Sequence, residues 1–251
     1  MREMQGIVIR TTRYGESSVI AEVLTAQEGS VAVIASGLRS KRGRAHAALL
    51  KTGTPVNVIL YFKPGANMHR LKEAQAGYRM SSIPFSIVKS SLLLFLIDVA
   101  RNAFRSYSEH ESSYHFLMTH IRELDQRNER LSWVPLEFMM NLSQHLGFGP
   151  EFDQSENPGY FDLRQGVFTA TLPPHHNIVS ENDAQTFWLL GRHLRHGTPP
   201  PDIDRFTRQR LLDALILFFR FHIDQFQAPK SHEVLSQLFH PHPKSPDSGK
   251  A

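Results

Sequence analysis

Residues Ser36-Gly37-Leu38-Arg39-Ser40-Lys41-Arg42-Gly43-Arg44 put four cations on a run of small residues, directly after a β-rich stretch. Guanidinium and ammonium groups at this density suit phosphate, which they neutralise without a shaped pocket. The charge is also unevenly placed. Residues 1–80 hold 12 Lys/Arg against 5 Asp/Glu, whereas residues 81–251 hold 16 against 19. The modest net charge of +4 therefore hides a basic module joined to a mildly acidic remainder, the asymmetry of a polyanion binder carried on a separate scaffold. A solvated loop on an ordinary basic surface is the alternative, and charge alone does not separate the two. Arg10 and Arg13 are candidate neighbours of Arg39, Lys41, Arg42 and Arg44. Tyr14, Tyr61 and Phe62 are candidate stacking rings for bases, with packing in a core or lid as the competing role.

Other chemistry is poorly supported. His110-Glu111-Ser112-Ser113-Tyr114-His115 approaches a metalloprotease helix but spaces its histidines by five, which turns the second imidazole about 140° away from the first. His193 and His196 share a helical face, and His175-His176 lie in an irregular stretch, yet neither pair has a second ligand pair at recognisable spacing. No phosphate-cradling glycine loop and no nucleophile elbow occurs. The chain has no cysteine, which removes disulfides, thiolate nucleophiles and cysteine zinc sites. Neither a metal nor a catalytic site is expected.

Positioning these residues requires elements that the hydrophobic pattern supplies. A chain of 251 residues, 41% hydrophobic, can bury one or two cores. Short apolar or β-branched stretches at 5–11, 17–25, 30–36, 54–61 and 68–77 predict five strands, with an Ala/Leu helical segment at 44–51 between the third and fourth. This is the layout of an OB-fold barrel. Beyond residue 80 the period changes from two to about 3.6. Helices are predicted from Pro84 to Ser106, after a Ser108/Glu111 capping box, after Ser132 with Gly147 as its stop, from Ser180 to His196, and from Asp204 to about Phe226. The helical signal fails from about 150 to 180, where Tyr160 to Thr169 reads as a hairpin around Gln165-Gly166. The fold class is thus α+β: an N-terminal five-stranded barrel over 1–80, a mainly helical domain over 81–239 with a small irregular insert, and a Pro/His/Lys tail at 240–251 expected to be disordered.

Several segments together resemble the bacterial recombination mediator family RecO. They are Gly6-Ile7-Val8-Ile9-Arg10, Tyr14-Gly15-Glu16-Ser17, Thr25 with Gly29, and above all Ala35-Ser36-Gly37-Leu38-Arg39-Ser40-Lys41-Arg42. The match continues through His145-Leu146-Gly147-Phe148-Gly149-Pro150-Glu151-Phe152 and Lys230-Ser231-His232-Glu233-Val234-Leu235, covering most of the chain in order. The resemblance implies an OB-fold joined to a helical domain, without enzymatic turnover. It implies binding of single- and double-stranded DNA, annealing of complementary strands, contact with the tail of single-stranded DNA-binding protein (SSB), and action with RecR to load RecA. Many members carry a four-cysteine zinc module where this chain has its insert. Here the insert has no cysteine, so no zinc is expected and packing of the hairpin Tyr160 to Thr169 is expected to hold it instead; His175, His176, Asp153 and Glu156 could form a substitute site, but their chain order does not resemble a known ligand pattern. Arg101, Arg105, Arg122, Arg127 and Arg130 are candidates for the cationic rim of a partner-tail pocket. A protein-interaction adaptor and a metal-dependent hydrolase are the competing classes. With no signal-peptide pattern and no apolar run of membrane length, a cytoplasmic location without membrane contact is expected.

Overall fold

The computed structural model describes residues 1–37, 40–152, 159–198, 201–232 and Leu235, with Arg42 and Ser106 described by their backbone alone. The chain divides into two compact units, Met1–Leu131 and Ser132–Ala251. The change of period lies at residue 80, but the first unit extends beyond it because two helices pack on the barrel.

In the first unit, β1 (Arg2–Tyr14), β2 (Ser18–Thr25), β3 (Gly29–Ser36), β4 (Pro55–Tyr61) and β5 (His69–Ala76) close into a barrel of order β1-β2-β3-β5-β4. Strand alternation builds it. In β3, Val31, Val33 and Ala35 are buried while Ser30 and Ser36 are exposed, because successive side chains point to opposite faces. The interior is filled by Met4, Val8, Val23, Val33, Val58, Leu60 and their neighbours. Helix α1 (Lys41–Leu49) lies between β3 and β4 as expected, but starts three residues earlier than the Ala/Leu pattern indicates. The residue responsible is Ser40: its Oγ accepts the Gly43 N–H at 3.0 Å, so the cap sits inside the basic segment. Leu50, just past α1, is buried in the barrel interior, and the Thr11 hydroxyl donates to its carbonyl. That end of α1 thereby plugs the barrel.

Helices α2 (Ile87–Ala103) and α3 (His110–Gln126) complete the unit. Ser86 caps α2 through the Lys89 N–H, and the near-continuous apolar run places Leu92, Phe95, Leu96, Val99 and Ala100 out of solvent. The helix stops at Ala103 and a 3-10 turn, Phe104–Ser106, follows. The expected Ser108 capping box does not form. Instead the Ser108 carbonyl accepts the His110 N–H, and Glu109 occupies the cap position without a side-chain bond. A buried hub joins the exit of the barrel to α3. Asp125, 2% exposed, accepts the backbone N–H groups of Ser81 (2.7 Å), Ser82 (2.8 Å) and Ile83 (2.9 Å), and the hydroxyls of Tyr78 and Ser81, each at 3.0 Å. It thus caps the 3-10 turn Ile83–Phe85 from 42 residues away in the chain. Lys89, also buried, donates to the Ser82 hydroxyl (2.7 Å) and to the Asp125 carbonyl (3.1 Å), a cation on the last turn of α3.

The second unit contains α4 (Val134–His145), α5 (Glu181–His196) and α6 (Arg205–His222). Ser132 falls inside a 3-10 turn and caps nothing by side chain; α4 carries Pro135 in its first turn, where the lost N–H is harmless. Ser180 occupies the cap position of α5 without a side-chain bond, and the carboxylate of Asp183 is taken by Arg210 of α6 in a two-pronged pair at 2.7 and 2.8 Å. Asp204 caps α6 as expected, accepting from Phe206 and Thr207, but α6 ends at His222 rather than 226. The insert holds the expected hairpin, β6 (Tyr160–Asp162) and β7 (Val167–Thr169). It also holds a third strand the sequence did not signal, β8 (Ile178–Val179), giving a separate sheet of order β7-β6-β8. With only two residues, β8 is too short to show any periodicity. Phe161 of β6 is fully buried against Phe168 (4.8 Å between centroids), Phe187 of α5 (4.9 Å) and Phe218 of α6 (5.7 Å). Residues 240–251, the expected disordered tail, lie outside the described residues.

Two outcomes test these anchors. Burial raises the Asp125 pKa, but the N–H groups of Ser81, Ile83 and Ser82 more than offset it and hold the carboxyl well below the usual carboxylate range. A depressed folded pKa means the unfolded state takes up protons first. The stabilisation is therefore complete above about pH 4 and is lost as pH falls toward the folded pKa. Asp125→Asn turns an amide N–H toward backbone donors in either orientation. It is expected to cost about 2–4 kcal/mol at neutral pH, with the gap from native narrowing below about pH 4, as read by urea melts followed by far-UV circular dichroism. Phe161→Ala removes the ring on which the insert rests and is expected to cost about 3–5 kcal/mol, as read by urea melts followed by the fluorescence of Trp133 and Trp188, the chain's two tryptophans.

Candidate nucleic-acid interface

The basic segment is built by a change of direction. Gly37 has φ +80°, a left-handed conformation that favours glycine, and turns the chain from β3 into α1. The Ser40 hydroxyl then bonds the Gly37 carbonyl at 2.8 Å and the N–H of Gly43 at 3.0 Å. Lys41, Arg42 and Arg44 consequently stand on the first turn of a helix rather than on an open loop. No acidic residue occupies that turn, so the positive pole of the helix and its cations add to one another. Lys41 is exposed, and Arg39 lies outside the described residues.

Register sorts the residues of β1. A bulge between Val8 and Arg10 resets the strand, after which Arg10 opposes Glu22, Thr12 opposes Ile20 and Tyr14 opposes Ser18. Those partners alternate with the buried Val19, Ala21 and Val23, so Arg10, Thr12 and Tyr14 share the outer wall. Arg13 opposes the buried Val19 and shares the parity of Thr11, whose hydroxyl binds the Leu50 carbonyl. Arg13 therefore belongs with the end of the barrel that α1 plugs. The structure thus separates the two arginines that the sequence groups together.

The rings also diverge. Tyr14 and Tyr61 are 58% and 49% exposed. Phe62 is half-buried against the barrel core, stacked on His69 at 4.4 Å between centroids with the Arg2 guanidinium 5.2 Å from its own ring centroid. Arg70, exposed and directly opposite Tyr61 in the ladder, had no signal in the sequence beyond the phase of its strand.

The five candidate rim arginines are not brought together. Lys89, at the start of α2, touches Asp125, at the end of α3, so the two helices run antiparallel. Arg101 and Arg105 lie toward one end of the pair and Arg122, Arg127 and Arg130 toward the other, with even Arg101 and Arg122 roughly 14 Å apart along the helix axis. Arg101 is ion-paired with Glu22 of β2 at 2.9 Å. Arg122 lies over the Tyr78 ring, and Arg127 donates to the carbonyls of Glu129 and Arg130.

The second unit contains an apolar cavity of about 230 Å³ between α4 and α5, lined by Met140, Gln144, Phe152, Gly191, Leu194 and Arg195, with Asn141. Gly191 makes room for a wall of it: a Cβ there would stand 2.1 Å from the Phe152 ring. The Arg195 guanidinium lies 5.5 Å from the centroid of that ring, at the edge of the cavity. The stretch 145–152 that follows α4 supplies Phe148, stacked on His222, as well as Phe152. Sequence reasoning missed Arg195, because only the meeting of α4, α5 and the 145–152 stretch makes the cavity.

Histidines show other partners. The His110 ring abuts Gly29, His115 faces Glu111 at 3.8 Å, and His175 pairs with the buried Asp162 at 3.2 Å. Asp153 and Glu156 lie outside the described residues. Among the described residues no three His, Asp or Glu side chains converge as a metal site, and no helix is long and apolar enough to cross a membrane.

Comparison with known proteins agrees with this architecture. A family model described as the recombination protein O N-terminal domain matches residues 1–78, and one described as its C-terminal domain matches residues 84–232. Proteins named DNA repair protein RecO are similar over nearly their whole length. The Phocaeicola vulgatus protein is 27% identical over 239 residues, covering 95% of this chain and 99% of the relative. That of Christiangramia forsetii is 27% identical, covering 94% and 98%, and that of Flavobacterium psychrophilum 26%, also covering 94% and 98%.

Proposed function

This chain belongs to the recombination protein O family, and on that premise we propose a DNA repair mediator that binds single- and double-stranded DNA without reading sequence. It anneals complementary strands and, with RecR, helps load RecA onto strands coated by SSB, with no turnover of its own. The observation that carries the reading is the cationic first turn of α1, on the N-terminal module that holds all of the chain's excess positive charge. Phosphate contacts of this kind fix position and carry no sequence information. Neutralising two strands on one protein lowers their mutual repulsion and leaves the bases free to pair.

The partner tail is assigned to the cavity between α4 and α5. Its walls are apolar and Arg195 stands at its edge, which suits an acidic segment ending in an apolar side chain. The five arginines of α2, α3 and the following loop are too dispersed to form such a rim.

Two measurements test the reading. Fluorescence anisotropy of labelled oligothymidine across a salt series is expected to show weaker binding when Arg39, Lys41, Arg42 and Arg44 are all Ala, with the log–log salt slope flatter by about 3. Equal binding by both proteins would move the DNA surface elsewhere, and no binding by either would favour the adaptor class. For the tail, Leu194→Asp is expected to weaken binding of an acidic peptide with an apolar end by at least about tenfold, the cost of a charge in an apolar site, while oligothymidine binding stays at the native level.

A further inference from the structure

We propose that two copies of this chain pair through the outer face of α2, antiparallel about a two-fold axis, with Ile87 of each copy against Leu94 of the other. The proposal goes beyond the DNA-binding reading and does not depend on it. Its basis is an apolar face left open on a helix that is otherwise out of solvent. Ten of the 17 residues of α2 are buried, as expected of a helix that is apolar on nearly every side. Ile87 is nevertheless 79% exposed and Leu94 47%, and Phe85, in the turn just before the helix, is 87% exposed. Ile87, Ser91, Leu94 and Asp98 fall within about 60° of one another around the helix. The open face is therefore a single stripe, joined at its start by the exposed Pro84 and Phe85. From Pro84 to Leu94 the stripe carries no charge, since Lys89 is buried and bound to the Asp125 carbonyl.

The stripe is complementary to itself. Ile87 and Leu94 are about 10 Å apart along the axis. Ser90 and Ser91 lie at their midpoint, half-buried and small enough to let two helix axes approach to about 8 Å. A two-fold rotation about that midpoint sets each Ile87 on the Leu94 of the other copy. It also sets Asp98, the one acid of the stripe, about one turn beyond the Ile87 of the other copy, at the start of its α2, where the helix dipole is positive. A parallel pair would instead set Asp98 against Asp98 and the two positive helix starts against each other. Pairs of this self-complementary kind are the commonest assembly of like chains. Area fixes the strength. Phe85, Ile87 and Leu94 expose roughly 400 Å², a patch of the size that marks an interaction surface. With their neighbours the pair buries roughly 1,000 Å² in total, more than incidental contacts and less than a permanent dimer, so the association is reversible.

The test is sedimentation velocity of the full-length chain between about 1 and 100 µM, the range in which an interface of this size assembles. The native chain is expected to pass from monomer to dimer across that range, and Ile87→Asp to remain monomeric throughout. An acid in the first turn of α2 suits the helix itself, so the variant is expected to melt at the native temperature by far-UV circular dichroism. Because the chain has no cysteine, Ser91→Cys can form a disulfide only between copies. With its thiol beside the two-fold axis, it is expected to oxidise to a covalent dimer at least about tenfold faster than Ser180→Cys, whose position is exposed at the start of α5 and off the stripe. A native chain that stays monomeric at every concentration overturns the proposal and leaves the stripe to a different protein. A dimer that survives Ile87→Asp overturns it too, as does a Ser91→Cys chain that oxidises no faster than Ser180→Cys; either result moves the contact to another surface.

Discussion

The carboxylate of Asp125 is the constraint on which the first unit depends. Five groups from Tyr78, Ser81, Ser82 and Ile83 converge on it, and Lys89 answers from α2 by binding the Asp125 carbonyl. A buried anion is costly unless its lone pairs are filled, and here the donors are the otherwise orphaned N–H groups of the turn that leads from the barrel into α2. Each need satisfies the other. With the end of α3 tied to the start of α2, the α3 start abuts the β2–β3 turn, where the His110 ring lies against Gly29. The barrel and its two helices thereby hold the strand wall in a fixed setting.

On that frame, function is distributed by parity. The bulge in β1 shifts the alternation by one residue, and that shift decides that Arg10 and Tyr14 take the outward face while Arg13 takes the parity of the buried Val19. Without the bulge the two arginines would exchange sides, because a slip of one residue inverts every side chain of a strand. A local irregularity of backbone therefore sets which of the two arginines faces outward.

The second unit solves a different problem. An insert of three very short strands cannot hold itself by its ladder alone. The chain has no cysteine with which to clamp a metal, and the anchoring comes from Phe161, Phe168, Phe187 and Phe218 packed ring against ring. The same region supplies Phe152, whose ring enters the space left by Gly191 and forms one wall of the cavity at Arg195. Aromatic packing thus both secures the insert and shapes the pocket.

Local pattern determined much of this by itself. Strand alternation in 30–36, the Asp204 cap and the Gln165-Gly166 hairpin are properties of adjacent residues, and they appear in the structure as the pattern implies. The concentration of charge in the first 80 residues is likewise a sequence fact, as is the order of motifs shared with the family. Tertiary structure decided what depends on residues meeting across the chain. Ser108, Ser132 and Ser180 carry cap chemistry but make no side-chain cap bond: the cap positions of α3 and α4 are Glu109 and Trp133 instead, and Ser180 holds its cap position by backbone alone. Lys41 and Arg42 read as a loop and stand on a helix, because Ser40 caps within the basic run. The five arginines of the supposed rim look clustered in sequence and lie at two ends of a helix pair. Arg70 and Arg195 were silent, the first because its importance is its neighbour Tyr61, the second because its pocket exists only where α4, α5 and Phe152 converge. Periodicity is set by the geometry of a single strand or helix and is visible in one dimension; proximity is set by the packing of many, and is not.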